Sequence, residues 1–254
     1  MTAPLFHLEP GALAGAVPGT EVAFGGAEAR HAAASMRLGP GESVLLADGS
    51  GVRGHGTVLA AAPDAVRVRL DAVDEEPAPV PALVLVQALA KGDRDLMAVQ
   101  AAVELGVDAV VPWEAERSIV RWRGPKAVKA RQKWADTARA AAKQARRARV
   151  PEVREPVSGT GVAALAGAHD DGPRLLLVLH EDAPSGLAAV PERRLADAAE
   201  IAVVVGPEGG IGPAELDACT AAGAVPVRLG PHVLRASTAG PAALAVLQHR
   251  LGRW

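Results

Sequence analysis

The 254 residues suffice for one large domain or two unequal ones, and a 49% hydrophobic content supplies a substantial core. One cysteine, Cys219, leaves no internal disulfide, no apolar run approaches the ~20 residues of a membrane span, and no basic, apolar leader opens the chain. A soluble protein of a reducing cytoplasm is therefore expected.

Net charge is only −2, but it is unevenly spread. From Arg117 to Arg154 there are 13 Lys or Arg against two acids, Asp136 and Glu152; the remainder holds 14 basic and 27 acidic residues. Such a concentration points to a surface that meets a polyanion. The alternative, a solvated helix face, ordinarily interleaves Glu, which is nearly absent here. Tyrosine is missing altogether, so aromatic stacking can contribute little to nucleic-acid binding.

In chain order, residues 21–70 read as a small β domain. A helical pattern from His31 to Leu38 stops at Gly39-Pro40-Gly41; strands are expected over 44–47, 56–60 and 65–70, with Asp48-Gly49-Ser50-Gly51 as a turn. Arg30, His31, Arg37, Arg53 and His55 are its candidate RNA contacts. The acidic, proline-rich run from Asp74 to Pro81 is expected to interrupt regular structure, which divides the chain into 1–74, a linker 75–81, and 82–254.

Beyond the linker, strand and helix alternate. Strands are expected at 83–87, 108–111, 175–179, 201–205 and 225–229. Helices are expected at 95–105, from Gly124-Pro125 to about Arg149, at 213–222 and at 238–251. Apolar strands separated by helices make an α/β fold with a parallel sheet covered on both faces. Ligands in such sheets sit at the carboxyl ends of the strands. Three loops leave those ends: His180-Glu181, Gly206 to Gly212, and Gly230 to Arg235. They are expected to converge on one site.

The middle loop reads Gly206-Pro-Glu-Gly-Gly-Ile-Gly212 and leads into Pro213 at a helix start. Its glycine spacing matches neither a dinucleotide fingerprint nor a Walker loop. The histidines and Cys219 lack metal-ligand spacing, so no metal is expected. Glu215, in the first turn after the loop, is better suited to capping that helix than to catalysis.

Val205-Gly-Pro-Glu-Gly-Gly210, then Leu229-Gly-Pro-His-Val-Leu-Arg235 and Ser237-Thr-Ala, resemble the SPOUT class of RNA methyltransferases, and within it the ribosomal RNA small subunit methyltransferase E family. Lys91-Gly-Asp-Arg94, Glu104-Leu-Gly-Val107, Glu116-Arg-Ser118, and Gln144 with Arg147 before Val150-Pro151 follow in the family's order. His31, Met36-Arg37-Leu38, Gly41 and Asp48-Gly49 resemble its PUA-like RNA-binding domain.

The resemblance implies a SPOUT-type parallel sheet with a deep C-terminal trefoil knot behind a small PUA-like β-barrel. It implies a homodimer that methylates N3 of one uridine in 16S rRNA of the small ribosomal subunit, using S-adenosyl-L-methionine. Leu179, His180, Glu181, Gly206, Pro207, Gly209, Gly210, Leu229, Gly230, Val233 and Leu234 would hold that cofactor. Arg30, Arg37, Arg117, Arg121, Arg123, Lys143, Arg146 and Arg147 would contact RNA. For catalysis the expectation is Arg235 first, with Arg147 and Arg117, stabilising the uridine anion. The family usually carries Glu where this chain has Ser237, so Glu208 or Glu181 is expected to take over proton removal or cofactor fixing. Ala101 replaces a frequent Lys. The competing readings are an inactive ribosome-assembly protein with the same fold and a SPOUT enzyme acting on tRNA.

Overall fold

A computed structural model of the chain describes residues 3–170 and 172–254. Its contacts divide it into two compact units: residues up to Ala78 together with Ala142–Val150, and Pro79–Ala141 together with Pro151–Trp254.

The first unit contains strands β1 (Leu5–His7), β2 (Glu21–Gly25), β3 (Ser43–Ala47), β4 (Val52–Ala61) and β5 (Ala65–Glu75), with helix α1 (Gly26–Arg30) continuing into a wider turn at His31–Ser35. The sheet order is β1-β3-β4-β5-β2. In β5 the alternation of Val66, Val68 and Leu70 with arginines turns the apolar side inward, where they are fully buried with Phe6, Leu46 and Val58. The strand extends further than the acidic run suggests. Asp74 stays in register opposite Arg53, whose Nη1 lies 3.9 Å from its carboxylate, and His55 Nε2 reaches the same carboxylate at 2.7 Å. Cross-strand charge pairing thus carries the ladder to Glu75, before Pro77, Pro79 and Pro81 end regular pairing.

The second unit is built on β6 (Ala82–Ala88), α2 (Arg94–Glu104), β7 (Ala109–Glu114), α3 (Pro125–Gln144), β8 (Glu152–Val153), β9 (Val157–Ser158), β10 (Gly167–His169), β11 (Gly172–Leu179), α4 (Glu192–Ala196), β12 (Glu200–Val205), α5 (Pro213–Ala221), β13 (Val225–Val227) and α6 (Ala236–Arg250). Its sheet runs β10-β11-β12-β6-β7-β8, with β13 beside β11 and β9 beside β7; every pairing is parallel except β10 with β11. Successive residues of β12 are all buried, as a sheet covered on both faces requires. Helix α5 packs on one face and α2 with α6 on the other. Gly240 lets α6 lie close on the sheet: a Cβ there would stand 2.6 Å from Leu85 Cδ1 and 3.3 Å from Val205 Cγ2.

Helix α3 ends at Gln144, not near Arg149. Arg146 takes a left-handed backbone (φ +57°), and the following segment packs into the first unit. There Ala148 is buried with Leu5 and Ala47, His7 Nε2 donates to the Arg147 carbonyl at 3.0 Å, and Arg149 Nη2 donates to the Glu76 carbonyl at 2.6 Å.

Candidate active site

Because β11, β12, β13 and β6 run parallel, their carboxyl ends share one edge of the sheet. The loops leaving β11, β12 and β13 enclose a cleft of about 340 Å³ at that edge, within the range of small-molecule pockets. Leu179, His180, Glu181, Gly206, Pro207, Gly210, Leu229, Gly230, Val233 and Leu234 line it, together with Glu208 and Arg235. Gly209 does not. Its carbonyl accepts Arg117 Nη1 at 3.1 Å, and Arg117 Cβ stands against the place a side chain would need. Gly206 is required by shape: a Cβ would fall 2.7 Å from Ile211 Cγ1, and Ile211 is the buried residue that turns the loop back on itself.

Glu215 braces this loop. It is 1% exposed, its Oε2 accepts the Gly212 amide at 3.0 Å, and its Oε1 accepts the Glu116 amide at 2.7 Å. One carboxylate therefore satisfies an amide at the start of α5 and ties in the segment that follows β7.

Glu208 faces the cleft with a partner of its own. Arg94 Nη1 donates to its Oε1 at 2.8 Å. Burial works to raise the Glu208 pKa, but its own amide, Arg94 and the Lys91 amide outweigh that and hold it below the usual carboxylate range. A carboxylate so stabilised is a weaker base than an ordinary glutamate. Glu181 is exposed at the cleft. Arg235 precedes α6 with an extended backbone, its carbonyl accepting Thr238 Oγ1 at 3.1 Å, and its guanidinium has no ion pair among the described residues. Ser237 is buried and outside the lining, whereas its neighbours Ala236 and Ala239 face the cleft. Arg147 is not among the lining residues; it belongs to the first unit.

Arg94 is a cleft residue that motif reading left without a role. Its signal was available: Lys91-Gly-Asp-Arg94 follows the carboxyl end of β6, the same edge from which the other three loops leave. Asp95, buried beside it, accepts the Leu96 amide at 2.8 Å; burial pushes its pKa up against the pull of these amides. No group of three His, Cys, Asp or Glu suited to a metal occurs among the described residues. Burial, with the charge of Glu215, pushes the Cys219 thiol up to about 11, so it is not a nucleophile at neutral pH.

Residues 76–248 match the family model of an RNA methyltransferase domain, and residues 24–71 match that of an RNA methyltransferase PUA domain. The ribosomal RNA small subunit methyltransferase E of Mycobacterium bovis is 38% identical over all 254 residues and 94% of its own length. The chain belongs to the ribosomal RNA small subunit methyltransferase E family. The family member from Bacillus subtilis is 28% identical over 89% of this chain and 88% of its own. The crystal structure of the methyltransferase E from Neisseria gonorrhoeae, bound to S-adenosyl methionine, has a TM-score of 0.82 at 28% identity and covers 98% of each chain.

Among the RNA candidates, Arg30, Arg37 and Arg146 are exposed on the first unit. Lys143 is committed: both Glu28 oxygens accept its ammonium, at 2.8 and 2.7 Å, and it lies 5.5 Å above the Phe6 ring. On the second unit Arg117 holds the Gly209 carbonyl. Arg121 donates to the carbonyls of Ala115 and Glu116, and Arg123 to Glu114 at 2.8 Å. Burial opposes ionisation of Glu114, but Arg123, the Trp122 amide and Arg121 hold it below the usual range. Counting charge from Arg117 to Arg154 misses these commitments because the acceptors are carbonyls or acids outside that span, Glu114 just before it and Glu28 far away in sequence.

Proposed function

We propose that this protein transfers a methyl group from S-adenosyl-L-methionine to N3 of one uridine in 16S rRNA, within the small ribosomal subunit. The observation that carries the reading is the cleft itself. In a chain of this family, the cleft's glycine-loop backbone and apolar side chains stand beside charged ones, among them the carboxylate of Glu208, which is compatible with a cationic ligand. The cofactor bound in the Neisseria gonorrhoeae structure supports the same reading. The backbone of Gly206 to Gly210 and of Leu229 to Leu234, with Leu179, His180 and Glu181, would hold the adenosine and methionine parts. When bound, the cofactor supplies an electrophilic methyl on a sulfonium. The chain must then align the uridine, exclude water and favour its N3 anion. Arg235, lining the cleft without an ion pair among the described residues, is proposed to face that anion; Arg147 and the other basic candidates are proposed to take RNA phosphates. A homodimer and a C-terminal knot belong to the same proposal.

The second reading is an inactive RNA-binding protein, favoured only by Ser237 in place of the family's usual Glu. The burial of Ser237 away from the cleft weakens it. Mapping methylated nucleotides in rRNA from cells lacking and regaining the gene separates the readings: one uridine should lose and regain an N3 methyl. A modified tRNA instead, or no change, would overturn the proposal, as would failure of calorimetry to detect S-adenosylmethionine binding.

A further inference from the structure

Resting on that reading, we infer that Arg94 is a catalytic residue: held in place by Glu208, its guanidinium stabilises the N3 anion of the uridine at the mouth of the cleft. Four observations carry this. Arg94 lines the cleft. Its side chain is 41% exposed, which leaves it reachable from the side where a base would enter. One Nη1–H is fixed by Glu208 at 2.8 Å, so the planar group has a set orientation while its other N–H donors are available to a ligand. Glu208 is engaged by Arg94 and its pKa is lowered, so the pair is suited to stabilising the anion.

A fixed donor is worth more in the transition state than a mobile one, because it needs no reorganisation as charge develops. Arg228 is also fixed, its Nη1 donating to the Ala183 carbonyl at 3.1 Å, and Arg117, outside the lining, donates to the Gly209 carbonyl. Arg235 has no ion pair among the described residues. Among the described residues, Arg94 is the lining arginine that a carboxylate orients. In the balanced step, the N3 proton passes to solvent water and the N3 electron pair forms the new N–C bond. The electron pair of the broken C–S bond stays on sulfur. The negative charge that spreads onto O2 and O4 before methyl transfer is what the guanidinium faces.

The groups around Arg94 are Glu208 on the glycine loop, Lys91, Asp93 and Asp95 on its own segment, and Glu181, His180, Arg228, His232 and Arg235 across the cleft. Asp93 is paired with Lys133 Nζ at 3.0 Å, and Asp95 is occupied by backbone amides. Substitution at 94 lets the Glu208 pKa rise from its lowered value toward the ordinary carboxylate range, an acid-side change, and the alkaline limb is read apart from it.

The test measures single-turnover methylation against pH for wild type, Arg94→Ala, Arg94→Lys and Glu208→Gln, with S-adenosylmethionine affinity by calorimetry. It adds substrate RNA affinity against pH in the presence of S-adenosylhomocysteine. Removal of a cation beside an acidic site moves its midpoint by about 1 unit or more. Arg94→Ala should therefore move the alkaline limb upward by about that much, lose about tenfold or more in rate at neutral pH, and keep cofactor affinity within about threefold. Arg94→Lys should recover part of the shift. Glu208→Gln should lower the plateau without raising the midpoint. RNA affinity should tighten as pH rises in wild type and less so in Arg94→Ala. A lowered but unshifted profile, a selective loss of cofactor affinity, or the same upward shift in Glu208→Gln would overturn the inference. A wild type that methylates no uridine N3 would instead overturn the reading on which it rests.

Discussion

Glu215→Ala tests whether one buried carboxylate organises the glycine loop. Its two oxygens accept the Gly212 and Glu116 amides at 3.0 and 2.7 Å, and the side chain is 1% exposed, so water cannot replace either bond cheaply. Hydrogen bonds to charged groups contribute about 1.5–3 kcal/mol each, and a charge at a helix N-terminus adds about 0.5 kcal/mol. The expected loss is therefore about 3.5–6.5 kcal/mol. Glu215→Gln keeps one acceptor but turns an NH₂ toward an amide, and should lose about half as much. Equilibrium urea unfolding of both variants reads the cost, and calorimetry with S-adenosylmethionine reads the loop. Affinity should fall in parallel with stability, since Gly206 to Gly212 would lose its anchor. An Ala variant within about 0.5 kcal/mol of wild type, the spread of ordinary surface substitutions, would refute the brace.

Three other outcomes are expected. Arg235→Ala should reduce methyl transfer far more than cofactor affinity in paired turnover and calorimetry measurements; unchanged turnover would remove it from the site. RNA binding should weaken with salt by roughly 0.7–0.9 log units per log unit of salt for each phosphate neutralised. Arg30→Ala with Arg37→Ala should flatten that slope, and an unaltered slope would place the phosphate contacts elsewhere. Because the folded Glu208 pKa lies below its ordinary value, the Arg94–Glu208 pair contributes stability above the usual glutamate range and loses it as pH falls through the lowered value. The stability gap between wild type and Glu208→Gln should thus be constant at neutral pH and close in acid; a gap that widens in acid would contradict the shift.

Several features follow from sequence alone. The strands of the second unit are continuous β-branched and leucine runs, and such runs bury both faces whatever they pack against, so a parallel α/β sheet was legible. Gly206, Gly209, Gly210 and Gly212 between a strand and Pro213 marked a ligand loop, and the rule for strand ends placed two further loops beside it. Glu215 could be assigned to the helix start because that interaction is three residues long.

What sequence could not specify depends on partners distant along the chain. Arg94 and Glu208 are separated by more than a hundred residues, and their pairing turns a presumed base into an anchored anion. Lys143 and Glu28 pair across a similar interval, which withdraws one of the basic residues from RNA. The end of α3 was hidden because nothing in Lys143 to Arg149 is a helix breaker; Arg146 leaves the helix only because Ala148 has a buried place beside Leu5 and Ala47. Short-range spacing is written in the chain, whereas which charge meets which is decided when distant segments fold against one another.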